Sequence, residues 1–150
     1  MEFSDGWIAL TLAHLAATGT MVGLMWTIHH VHYPLFRHVG AERYGEFQQE
    51  HMRRISQVLL VPWGAEVVTA AWLFVAAPTS ELRVLALIGG LAVAAVALIT
   101  GLVAAPAHGR LLDGFDDALH ARLLHADGIR TIIWTLRLPL AGWIAWISVT

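Results

Sequence analysis

Residues 82–105 read LRVLALIGGLAVAAVALITGLVAA, with Arg83 the only charge. A stretch this apolar can satisfy its backbone in hydrocarbon only as a helix, and it is long enough to cross a layer roughly 30 Å thick. Three further apolar runs flank it. Together they predict an all-α integral membrane four-helix up-down bundle, with helices over residues 7–33, 41–77, 82–105 and 128–149. The chain reads as a single transmembrane domain, residues 1–150. Composition agrees: 57% of residues are hydrophobic and 13% charged, against about a quarter charged in soluble domains.

Prolines punctuate the runs. Pro34 and Pro106 are expected to end helices 1 and 3, because the residue before a proline is pushed out of the helical region. Pro62 and Pro139 are expected to kink helices 2 and 4. Ser4 or Asp5 can cap helix 1. Its N-terminal flank is acidic, without the basic start of a secretory signal, so the run reads as a retained span. Gly90 with Ala94, and Gly101 with Ala105, put small residues at four-residue spacing, which predicts helix 3 as the central packing helix.

The two connections on one side carry Arg37, Arg43, Arg53, Arg54, Arg110 and Arg122, whereas the other side carries Arg83 and the acidic start. The positive-inside rule makes the arginine-rich, histidine-rich side cytoplasmic and puts both termini outside. Trp7, Trp143 and Trp146 then suit an outer aromatic belt. A faint repeat is visible as well. Pro34, His51 and Ile55 match Pro106, His125 and Ile129 in order, as expected of two pseudo-repeated helical hairpins.

Several chemistries are excluded. With no cysteine, the chain has no disulfide, thiolate metal site or CxxC redox pair. Its nine Lys+Arg are all arginines and are dispersed, so no nucleic-acid surface is indicated. Histidines stand out instead. The segment TIHHVHYPLFRHVG, residues 27–40, carries His29, His30, His32 and His38, and His51, His108, His120 and His125 map to the same end. His29 and His32 share a helix face. His51, His108 and His125 come from the ends of the other helices. Histidines converging from facing helices are a known way to hold a metal, and nitrogen donors suit copper, iron or zinc. The expected ligands are His32, His51, His108 and His125, with His29 in reserve. Glu50 and Asp127 are expected to orient His51 and His125. His30, His38 and His120 read as surface residues.

A second constellation lies inside the apolar spans. Glu66 and Arg137 each fall roughly 13 to 17 Å from the histidine end at 1.5 Å per residue. Buried charges in membranes are costly and pair, so an ion pair is expected, with Glu66 and Arg137 as the catalytic candidates. His14 can reach the Glu66 level. Arg130, Trp134 and Arg137 follow i, i+4, i+7 and present two cations and an indole on one face. His14, Arg130 and Trp134 are therefore candidates for holding a flat or anionic cofactor.

The segments HLAATGTMVGLMWTIHHVHYPLF, HMRRISQVLLVPWGAEVVTA, APAHGRLLDGFD and IRTIIWTLR resemble a group of small four-helix bacterial membrane proteins of unknown function. VHYPLF and AAPAHGRL are similar to the proline-centred motifs that end helices 1 and 3 in the anthrone-oxygenase-like superfamily. RRISQVLLVPWGAEVVTA, with His14, resembles the four-helix membrane protoporphyrinogen oxidase, which carries haem. That family also relies on a helix-3 lysine, which this chain lacks, so its activity is not carried over. Both resemblances imply oxidation of a flat lipophilic molecule.

The expectation is thus a multi-pass protein of the bacterial inner membrane, a metal- or haem-dependent oxidoreductase acting on a lipophilic small molecule. Its expected partners are the lipid bilayer, the lipophilic small molecule and a second copy in a homo-oligomer, with no nucleic acid. The alternatives are a small transporter or proton/metal conduit, or an accessory subunit of a membrane complex.

Overall fold

The computed structural model describes residues 3–150. Its four helical rods are each long and apolar enough to cross a membrane. Helix α1, Asp5–Thr27, is capped by Ser4, whose hydroxyl accepts from the Trp7 amide. It continues through a π turn, Ile28–His32, into a 3-10 stretch, Tyr33–His38. Helix α2 is Tyr44–Ala76. Helix α3, Ser80–Ile99, passes through a π turn, Thr100–Ala104, into a helical segment, Ala105–Arg110. Helix α4, Asp117–Val149, is capped by the Asp116 carboxylate on the Leu119 amide at 2.7 Å.

The rods pack as a ring, α1 on α2, α2 on α3, α3 on α4 and α4 back on α1, with α1 and α4 sharing the most extensive seam. This differs from the expected central role of α3. Ala94, Gly101 and Ala105 face outward, and open space surrounds Gly90 and Gly101. Leu98, Leu102, Val75 and Leu136 are more than half exposed, as in a belt that meets hydrocarbon rather than water.

Helices α2 and α4 continue through Pro62 and Pro139. Pro106 does not end its rod; it sits in the first turn of the segment that follows the π turn. A proline leaves the carbonyl four residues back without its donor, and here the backbone adjusts just upstream. The Tyr33 amide bonds to the Ile28 carbonyl, and the Ala105 amide to the Thr100 carbonyl. Each π turn ends two residues before its proline, so the two prolines carry a matched pair of backbone irregularities, whereas His51 is buried and His125 exposed.

Helix α4 starts well before residue 128. Residues 117–127 are its first three turns, with Asp116 at the cap, because His120, Leu123, Ala126 and Asp127 form a buried stripe at helical spacing. Near Gly114, at φ 136°, the chain turns with a backbone that favours glycine. Trp7 is no belt residue: it is buried and donates to Ser148 at 2.8 Å, tying α1 to the end of α4. Trp143 and Trp146 are exposed on the outside of α4.

Candidate functional site

Buried polar side chains form levels along the bundle, each bridging different rods. At mid-depth Glu66 of α2 is wholly buried and meets two donors from α4, the Trp134 indole at 2.8 Å and the Arg137 guanidinium. The expected ion pair is present. A turn further along α2, His14 Nδ1 lies 2.8 Å from the Thr69 hydroxyl. That hydroxyl also lies 2.7 Å from the Ala65 carbonyl, and when it donates there the imidazole is the donor to it. The space beside His14 and Arg137 is only about 10 Å³, far short of a porphyrin.

The next level centres on Asp127, also wholly buried. It accepts from His29 at 3.0 Å and from Arg130 at 2.9 Å. The other arm of Arg130 reaches the Thr100 hydroxyl at 3.1 Å, which itself donates to the Val96 carbonyl. The acid expected to orient His125 therefore serves α1 and its own helix neighbour instead. An acid three residues before an arginine lies on the same face of α4, where the two neutralise each other. His125 is exposed on another face.

Nearest the histidine end, His32 Nε2 lies 2.8 Å from His51 Nδ1. The His51 ring lies 5.1 Å from that of His108. His108 uses both nitrogens: Nε2 lies 2.9 Å from the Tyr33 hydroxyl, and Nδ1 lies 2.9 Å from the Gln48 amide nitrogen. His51 Nε2 is buried without a partner. Of the five expected metal ligands, His32, His51 and His108 come together, while His29 goes to Asp127 and His125 faces outward. Among the described residues no three His, Asp or Glu side chains are placed to share an ion. His29 and His32 part company at the π turn, which inserts a residue and rotates the faces that an ideal helix would align. Glu50 is drawn to Arg53 and Arg54 on the exposed side of α2 rather than to His51. His120, expected at the surface, is buried and donates to the Tyr33 carbonyl at 2.9 Å. His30 and His38 are exposed as expected.

Between α2 and α3 lies a cavity of about 590 Å³. Its mouth is apolar and faces outward through Leu60, Gly64, Val67, Val68 and Ala105. Its inner end holds Tyr33, Thr100, His108, Asp127 and Arg130, and Trp63 and Trp134 wall it with rings 5.9 Å apart. Both π turns border it, through Ile28 on one side and Thr100 and Ala104 on the other. Pockets that hold small ligands have this size and character, largely apolar with a few convergent polar groups, and π turns cluster at functional sites.

Sequence reasoning did not single out Tyr33, Gln48, Thr100 or Trp63. Gln48 lies three residues before His51 and so shares its face, the one local signal available. Tyr33 and Thr100 are placed by backbone irregularities that residue spacing does not reveal. No family model, curated protein or solved structure matches the chain.

Proposed function

We propose that this chain is an integral membrane oxidoreductase that acts on a lipophilic small molecule taken from the bilayer into the cavity between α2 and α3. The observation that carries the reading is the cavity itself: an apolar mouth at the lipid-facing surface leads to a buried charged and hydrogen-bonded inner end. A soluble metabolite has no use for such a mouth. The implied likeness of VHYPLF and AAPAHGRL to oxygenase motifs supports the same class.

A transition metal (copper, iron or zinc) or a haem would supply the redox chemistry. His51 is the residue placed to hold a metal, since its Nε2 lacks a partner among the described residues, whereas His32 Nε2 is engaged with His51 Nδ1 and His108 is engaged on both sides. The arginine-rich histidine end supports a cytoplasmic placement in a bacterial inner membrane. The purified protein in mild detergent tests the reading. An ultraviolet–visible spectrum and metal analysis on one sample should show a Soret band or stoichiometric metal. Organic extraction should release a lipophile. A colourless, metal-free protein that carries no lipophile would end this reading.

A proton or metal conduit is the second reading, favoured by the stacked polar levels at Glu66, Asp127 and His51. Proteoliposomes that hold a proton gradient as well as empty ones would remove it.

A further inference from the structure

The proton positions at the inner end of the cavity follow from one amide. The Gln48 side-chain nitrogen lies 3.1 Å from the His108 carbonyl oxygen and 2.9 Å from His108 Nδ1. A backbone carbonyl can only accept, so the atom facing it must be the amide nitrogen and not the amide oxygen. Gln48 therefore donates to Nδ1 as well, which makes Nδ1 a bare acceptor. The proton of a neutral His108 must then sit on Nε2, and Nε2 donates to the Tyr33 oxygen at 2.9 Å. A charged His108 would be turned the same way at Nε2. Tyr33 consequently keeps its own phenolic hydrogen, and among the described residues nothing accepts it. Tyr33 is 3% exposed and lines the cavity. A buried O–H without an acceptor is costly, so the unmatched donor specifies what the occupant must carry.

The charge at that end specifies more. Asp127 also lines the cavity, and Arg130 is already held by Asp127 and Thr100. An anion would meet the Asp127 carboxylate, and that carboxylate already offsets the charge of Arg130, whose Nε–H is left among the described residues as a second unmatched donor for a neutral acceptor. Trp63 and Trp134, packed edge to face with planes at 73°, add aromatic surface to the same cavity. We infer that the cavity binds a neutral, flat, ring-carbonyl lipophile of the quinone class, whose carbonyl oxygen accepts the hydrogen of Tyr33. This rests on the proposed lipophile site and names its ligand class. Gln48 is then a positioning residue that sets the direction of the hydrogen-bond chain without touching the ligand.

The probe is decylubiquinone, titrated into the full chain in lipid nanodiscs and read by quenching of tryptophan fluorescence, with decylbenzene and decanoate as competitors. Saturable quenching is expected, with decylbenzene and decanoate competing poorly. Tyr33→Phe should raise the half-saturating concentration about tenfold, the worth of one buried hydrogen bond. Gln48→Leu should also raise it with Tyr33 intact, though by less, because His108 Nδ1 is then free to carry the proton and Nε2 to draw in the Tyr33 hydrogen. Circular dichroism confirms that each variant keeps its helices. If decylbenzene competes as well as the quinone binds and neither variant shifts the curve, the Tyr33 donor is wrong while the lipophile site stands. If decanoate binds more tightly than the quinone, the neutral class is wrong. If none of the three binds, the proposed lipophile site falls and this inference with it.

Discussion

The Arg137 guanidinium of α4 donates to the Glu66 carboxylate of α2, and both side chains are at most 4% exposed. The pair joins rods that lie diagonally across the bundle. Trp134 adds a third contact to the same carboxylate. Two charges at this depth are tolerated because each cancels the other, and the level sits between two apolar clusters, one around Met21 and Trp134, the other around Leu73 and Ile144.

Breaking that pair from one side leaves an uncompensated buried charge, which costs about 3 to 5 kcal/mol. Glu66→Gln and Arg137→Met should each lower stability by that order in detergent unfolding curves. The double variant should recover much of the loss, since no charge is then stranded. Additive losses in the double-mutant cycle would show that the two side chains are energetically independent.

His120 and His125 are expected to part in the same way. His120→Ala removes a buried ring and leaves the Tyr33 carbonyl short of a donor, a loss of about 1 to 3 kcal/mol. His125→Ala, at an exposed position, should stay within about 0.5 kcal/mol of the parent. It should also leave metal content unchanged, whereas His51→Ala should lower it, since His51 Nε2 is the buried nitrogen left without a partner. Thermal unfolding and metal analysis on the same preparations read both outcomes.

The contrast shows what sequence could and could not convey. Long apolar runs dictate four helices, because hydrocarbon offers the backbone no other partner. Glu66 and Arg137 were legible for the same reason: a charge in such a run must find its opposite. The partners of the histidines were not legible. His29 and His32 look alike at i, i+3, yet the π turn sends one to Asp127 and the other to His51. His125 and His120 look alike in a polar segment, yet α4 extends through it and turns one inward and the other outward. Single-residue rotations decide these cases, and they depend on where Pro34 and Asp116 fix the helix starts and irregularities.

Asp127 accepts from two rods at once, so its loss should be felt at both. Asp127→Asn keeps the shape but leaves Arg130 buried without a counter-charge, and a loss of roughly 3 kcal/mol is expected. Adding Arg130→Met should restore stability in part, as at the Glu66 level. Failure of the second substitution to recover anything would mean that the His29 bond, not the arginine, carries the energy.

The cavity mouth offers a variant that should separate function from folding. Gly64 lines the mouth, faces outward, and has open space where a side chain would begin. Gly64→Leu should therefore fit without clash, and replacing a helix-interior glycine should cost nothing in stability. Its side chain would occupy the entrance between α2 and α3. We expect an unchanged or slightly raised unfolding temperature together with a loss of at least tenfold in lipophile bound after extraction. Gly6→Leu is the control, since its surroundings are equally open but it lies on α1 near the opposite end. If both variants retain the same amount of lipophile as the parent, molecules do not enter between α2 and α3, and the route from the bilayer must lie elsewhere.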